Sequence, residues 1–408
     1  AHENGIRIVL DGVINHTGPV TNQDQVWPND WVRTGPPCNY KDYDSTVKCT
    51  LVENLPDVLT ESVEEVELPK HLIEKWKIEG RYEQELKELD DFFARTGYPR
   101  APKFYIIKWL TDYIREFGVD GYRADTVKHT DEIVWQNFKT ECDVAFTEFK
   151  QKNPDKVLDD NNFFLVGEVY NYGISSGKYF DFGDKKVNYF DNMFSSQINF
   201  EFKWNAAQIS TEELFSKYSN ILNNELEGYS VLNYLTSHDD GQPFDKERTK
   251  TYEAATKLLL SPGTSQVYYG DESARDLTID RTIGDATLRS NMNWDDISKN
   301  SETKKLLEHY QKLGKFRRDH PSIGAGEHKM ISENPYIFKR TYPKDNFSDA
   351  VVVSLDLKEI KKEITVGSIF KENEVIYDAY SESEVIVKNG MVVFNSPYPI
   401  VLLEKKIK

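Results

Sequence analysis

Four short segments in a fixed order constrain this chain more than any other feature of its sequence. They read Asp11-Gly12-Val13-Ile14-Asn15-His16, then Gly121-Tyr122-Arg123-Ala124-Asp125-Thr126-Val127-Lys128-His129, then Gly167-Glu168-Val169, then Ser237-His238-Asp239. Each follows an apolar run suited to a buried parallel strand, at residues 6–10, around Val119, at 163–166 and at 231–235. In a β/α barrel the C-terminal ends of all strands open onto one face, so polar residues placed there converge. The order therefore predicts that Asp125, Glu168 and Asp239 share one site. Taken singly, an Arg and an Asp two residues apart form an ordinary ion pair, and a lone Glu at a strand end has no special role. The meaning lies in the joint pattern.

That ordered set resembles the signature regions of the α-amylase family of glycoside hydrolases. Gly121-x-Arg123-x-Asp125-x-x-Lys128-His129 fixes five positions in nine, and the other three motifs keep register with it. Leu55-Pro56-Asp57 and the stretch from Gly263 to Glu272 look like two further family signatures. Residues 55–62 and the surroundings of Gly270 look most like the periplasmic α-amylases of Gram-negative bacteria. The resemblance covers roughly residues 1–320, a length that suits a barrel. It implies a (β/α)8 TIM barrel formed by residues 1–16 and 101–320, an inserted domain at 17–100 after barrel strand 3, and a C-terminal antiparallel β-sandwich at 321–408. The chain opens at the turn into a strand, whereas the family barrel has two strand-helix units before that point. The first two units, and any export signal ahead of them, are therefore expected to be missing.

The activity implied is retaining endo-hydrolysis of α-1,4-glucosidic bonds in starch, glycogen and maltodextrins through a covalent glycosyl-aspartate intermediate. Breaking such a bond requires protonation of the leaving oxygen while an anion captures an oxocarbenium-like carbon, which two flanking carboxyl groups can supply. By resemblance Asp125 is the nucleophile, Glu168 the general acid and then base, and Asp239 the carboxylate that holds sugar hydroxyls. Arg123 lies on the same strand face as Asp125 and can keep it ionised. Glu168 is expected to stay protonated because Asp125 and Asp239 crowd it. His16 and His238 resemble the family's sugar-hydroxyl donors. Lys128 and His129 resemble its contacts on the leaving-group side, although the same two side chains suit a plain surface. The family's calcium, which ties the inserted domain to the barrel, matches Asn15, Asp57 and the backbone carbonyl of His129; capping of a turn is the alternative role for Asn15. Related activities remain open: an α-glucosidase, a transglycosylase, or an inactive chain that only binds glucan.

Composition narrows the partners. The formal net charge of −17 leaves no basic footprint for nucleic acid, whereas a neutral glucan meets no repulsion. Aromatic residues make up 13% of the chain, enough to spare rings for stacking on sugars. No run reaches the length of a membrane-spanning helix. A monomer in the periplasm or outside the cell is expected. Cys38 and Cys49 lie in one irregular segment and either pair, as suits an oxidising compartment, or stay free like Cys142. Between the motifs, Pro102 starts a helix that Gly118 stops, helices are expected at 211–222 and 249–260, and further strands at 189–193 and 265–269. That makes six barrel strands of eight. From about Ser322 short alternating strands take over, at 336–340, 350–355, 374–377 and 391–394.

Overall fold

The computed structural model describes the chain except for residues 19, 20, 22, 345, 346, 368 and 406–408. It divides into two compact units, one of Ala1–Tyr172 with Lys178–Ile198, the other of Gly173–Gly177 with Asn199–Lys408.

The first unit is organised around parallel strands β1 (Val9–Gly12), β2 (Gly121–Ala124), β3 (Phe164–Gly167) and the start of β4 (Ser196–Asn199), which pair in that order. The helix Pro102–Phe117 feeds β2. Proline occupies its first turn, Ile107, Thr111 and Ile114 bury one face, and Gly118 ends it in the left-handed region at φ 66°. Glycine is needed there twice over, because a Cβ would also lie 2.1 Å from the Phe149 ring. Beneath the strands Tyr122, Trp135, Phe138, Phe163 and Phe194 form a chain of tilted and edge-on rings, all at most 3% exposed. Burying each such ring contributes roughly 1.5–3 kcal/mol. The segment between β1 and the helix Pro102–Phe117 carries the helices Lys70–Ile78 and Tyr82–Thr96 and its own aromatic core. There Trp31 stacks on Trp109 at 6.2 Å and donates from Nε1 to the Glu67 carbonyl. Cys38 and Cys49 form a disulfide, and Cys142 is a buried free thiol.

The second unit holds two more parallel strands, β5 (Ser230–Tyr234) and β6 (Thr264–Gln266), with Leu232 opposite Thr264. The helix Thr211–Leu222 sits where its periodicity predicts, opened by a capping box between Ser210 and Glu213. From Glu327 an antiparallel β domain follows, with a six-stranded and a two-stranded sheet among the described residues. Both sheets contribute to one core, including Ile337, Val352 and Leu403 from the larger and Ile364 and Val392 from the smaller. Six parallel strands with helices between them, then an antiparallel domain, is the element order of a β/α barrel with a C-terminal β domain. No helix among the described residues is long and apolar enough to cross a membrane.

Two expectations fail locally. The strand anticipated at 189–193 is a turn, and the strand lies at Ser196–Asn199 instead. Asn188 accepts the Phe190 N–H and Asn192 adopts φ 58°, so asparagine turn chemistry overrides the apolar run, whose Tyr189, Phe190 and Met193 are nevertheless buried. The first strand was expected over 6–10 as a buried strand. It spans Val9–Gly12, and Ile6 and Ile8, which precede it, are exposed; among the described residues β1 pairs with β2 alone.

Candidate active site

Register builds the centre of the site. Asp11 on β1 lies directly across from Arg123 on β2, and Ala124 lies across from Gly167 on β3, which brings the next residues, Asp125 and Glu168, side by side. The backbone continues the ladder past the strand ends: Asp125 N–H donates to the Gly12 carbonyl and Glu168 N–H to the Ala124 carbonyl. Tyr122 and Ala124 point into the core, so alternation turns Arg123 and Asp125 to the opposite face.

One guanidinium then holds three carboxylates. Arg123 Nη1 lies 2.5 Å from Asp125 Oδ1 and 2.8 Å from Asp11 Oδ1, while Nη2 lies 2.5 Å from Glu168 Oε1. Burial works against the charge on Arg123, but Glu168, Asp125 and Asp11 together push its pKa above the usual arginine value. The second oxygen of Glu168 accepts the N–H of Thr126, whose backbone is left-handed at φ 48°. The arginine thus places one positive charge against both carboxyl groups.

The neighbouring predicted residues assemble around that centre. His16 is half-buried, bridges to Asp57 through the backbone, and has a buried Nδ1 without a hydrogen-bond partner; burial lowers its pKa against the pull of Asp125 and Asp11. Lys128 is buried among the rings of Tyr40, Tyr170 and Phe180, and burial lowers its pKa. The His129 ring is buried with Nδ1 3.1 Å from the Thr46 carbonyl oxygen, and burial followed by the Lys128 charge pushes its pKa down to about 4.

Asn15 and Asp57 lie on neighbouring backbone segments. Both are almost fully buried, Asn15 Oδ1 accepts from Thr130 beside His129, and the Asn15 carbonyl accepts the Val58 N–H. Asp57 Oδ2 is buried with no hydrogen-bond partner, and burial raises the Asp57 carboxyl to about 7. A buried carboxylate oxygen lacking a donor, with the Asn15 side chain close by, is chemistry that fits a hard divalent cation.

In the second unit Asp239 is half-exposed, with Oδ1 2.7 Å from Arg289 Nη2 and Oδ2 2.8 Å from His238 Nε2. Sequence reading missed Arg289, which has no motif and lies fifty residues away, and it left Asp11 outside the site although the first motif contains it.

The strand order and these strand-end carboxylates define a glycoside-hydrolase-type barrel. Residues 1–320 match the α-amylase catalytic-domain family model, and the chain belongs to that family. It is 31% identical over 402 residues to the periplasmic alpha-amylase of Escherichia coli (strain K12), covering 85% of this chain and 54% of that protein. Against a cyclomaltodextrinase of a Bacillus species it is 25% identical over 374 residues, covering 87% of this chain and 55% of that protein. The chain thus spans about half the length of these curated relatives. Its fold is that of the α-amylase from Geobacillus thermoleovorans solved with acarbose, with a TM-score of 0.66 at 18% identity over 100% of this chain and 79% of that chain. An Anoxybacillus α-amylase gives 0.63 at 20% identity, over 100% and 78% of the two chains.

Proposed function

We propose that this chain carries the catalytic machinery of a retaining endo-hydrolase of α-1,4-glucans, acting on starch, glycogen and maltodextrins. The observation that carries the reading is the single guanidinium of Arg123 bonded to both Asp125 and Glu168. Two carboxylates on one guanidinium lie near each other, which supports a retaining pair; such a pair has a spacing on the order of 5 to 5.5 Å, with no room for an intervening water.

In this reading Asp125, paired with Arg123, attacks the anomeric carbon as the bond to the leaving sugar breaks, and Glu168 gives its proton to the departing oxygen. Glu168 then takes a proton from water, whose oxygen displaces Asp125. A bound glucan excludes water around Glu168 and so raises its pKa toward the acid form, offsetting the Arg123 charge. Asp239, paired with His238 and Arg289, takes the role of holding sugar hydroxyls. The half-buried imidazole of His16 and the ammonium of Lys128 supply further contacts to substrate.

Calcium belongs to the same reading as a structural ion. Asn15, Asp57 and the His129 carbonyl would hold it, and it would supply a fixed charge that ties the 17–100 segment to β1. The disulfide and the similarity to a periplasmic relative support a periplasmic or secreted location.

Product analysis tests the function. The chain should release maltooligosaccharides from the interior of starch and leave isomaltose intact. Release of glucose alone from chain ends, or of transfer products longer than the substrate, would favour the related glucosidase or transglycosylase instead.

A further inference from the structure

Two aspartates follow one another beyond the end of β5, and the structure sorts them. Asp239 faces His238 Nε2 and Arg289 Nη2, whereas the carboxyl of Asp240 goes to the ammonium of Lys203. No motif marks Lys203. It lies on the helix Phe202–Gln208, which follows β4. Phe202 is buried with its ring edge-on to Tyr218, and the Ala206 carbonyl accepts Lys257 Nζ at 2.6 Å, so the backbone that carries Lys203 is fixed. Lys203 is 6% exposed; its ammonium lies 4.4 Å from the centre of the Trp204 ring and donates to the Gln242 carbonyl at 3.0 Å.

The segment that Lys203 grips is a loop. The Leu235 carbonyl accepts the Phe244 N–H at 3.0 Å, which closes the neck of a loop over 236–243. Inside it Ser237 Oγ accepts the Asp239 N–H at 3.3 Å, and Asp240 Oδ1 accepts the Gln242 N–H at 3.0 Å. Such turns set the local shape but tie the tip to nothing outside. Arg289 reaches the tip from outside, donating to the His238 carbonyl at 3.3 Å and to Asp239, but the side chains of that ion pair are 54% and 48% exposed, and exposed pairs hold weakly. The Lys203–Asp240 pair is far more enclosed, with side chains 7% and 14% exposed. An enclosed carboxylate that loses its cation is left with its desolvation uncompensated and must reach water. For Asp240 the way out is a turn of the loop tip, which carries Asp239 with it.

We propose that Lys203 is a positioning residue for Asp239: by holding Asp240 inward it fixes the loop that presents Asp239 to a glucan. The inference rests on the hydrolase reading for the role of Asp239, and on the loop geometry alone for the role of Lys203.

The test uses the full chain, with maltoheptaose as the glucan. Lys203→Met, which keeps an unbranched stem and removes the charge, should lower kcat/KM on the order of tenfold to a hundredfold, the scale that a small misplacement of a working group costs. Amide hydrogen exchange over 236–243 should speed up in the same variant. Calorimetric titration then separates positioning from general support of the fold. Lys203→Met should weaken maltoheptaose binding on the order of tenfold in the parent, and by about twofold at most in an Asp239→Asn background, because both changes act through one carboxylate. Asp240→Asn should act in the same direction by a smaller factor, and it carries the test if Lys203→Met melts below the assay temperature. Unchanged kcat/KM and exchange, or equal weakening of binding in both backgrounds, would overturn the assignment. If the parent leaves maltoheptaose uncut, the hydrolase reading fails separately, and the exchange and binding measurements decide the role of Lys203 by themselves.

Discussion

Arg123 and His320 each set one cation among carboxylates, and the two clusters are built for opposite purposes. At the strand ends Arg123 faces Asp11, Asp125 and Glu168, an excess of negative charge in which the Asp11 side chain is 56% exposed. Where the β domain joins the helix Ser301–Asp319, His320 is clamped between Asp349 and Glu404, at 2.9 and 2.6 Å, and its side chain is 5% exposed. Asp349 spends its other oxygen on the Ser322 N–H. Burial pulls the His320 pKa down, but the hydrogen bonds and charges of Asp349 and Glu404 outweigh it and push it up to about 9. The first cluster keeps carboxylate surface within reach of a ligand. The second is closed, and its energy goes into the fold.

The sharpest way to break this contrast is to mutate each cluster and measure both turnover and melting. Asp125→Asn and Glu168→Gln should each lower turnover by several orders of magnitude while the melting temperature holds. Activity within about tenfold of the parent, roughly 1.4 kcal/mol in the barrier, would place the chemistry elsewhere. His320→Ala should do the reverse, lowering the melting temperature and leaving turnover below that temperature unchanged.

A third cluster sharpens the comparison, because Asp57 is buried like His320 yet has no hydrogen-bond partner on Oδ2. If calcium fills that role, chelation should lower the melting temperature by several degrees, since an ion at a hundredfold over its Kd stabilises by about 2.7 kcal/mol. Asp57→Ala should melt low with or without calcium. Identical melting of chelated and calcium-loaded parent protein would remove the ion from the account.

The narrowest effect is in pH, because it follows a single proton. His320 titrates near 6.5 when unfolded and near 9 when folded, so the folded state binds the extra proton between those values. Its contribution, on the order of 3 kcal/mol, is fully present below pH 6.5 and fades as pH rises through 9. Denaturant midpoints between pH 6 and 10 should fall in the parent and fall less in His320→Gln. Parallel curves would mean that the clamp carries no net charge energy.

The sequence made the first cluster largely legible and the second not at all. Arg123 and Asp125 share one motif, Glu168 stands in the next of an ordered set that the family resemblance reads together, and Gly118 and the helix Thr211–Leu222 follow from local chemistry that tertiary packing did not override. Asp11 joins the cluster through strand register, and Arg289 reaches Asp239 across fifty residues, neither of which a local pattern records. His320, Asp349 and Glu404 are scattered over more than eighty residues, and each alone reads as an ordinary surface side chain. The run at 189–193 misled because its apolar residues are buried in a turn, and burial alone does not distinguish turn from strand. The cysteine pairing stayed open because separation along the chain carries no distance; the fold brings Cys38 and Cys49 to 4.8 Å between Cα atoms.

The central claim is that Asp125 and Glu168 act as a close pair through a covalent intermediate, and the anomeric configuration of the first product reports on it most directly. Two inversions at one carbon return the α configuration of the substrate, whereas a wider pair that admits water inverts once. A proton NMR time course on freshly cleaved maltooligosaccharide should show the α anomer first, with the β form growing in by mutarotation. Appearance of the β anomer first would contradict the account.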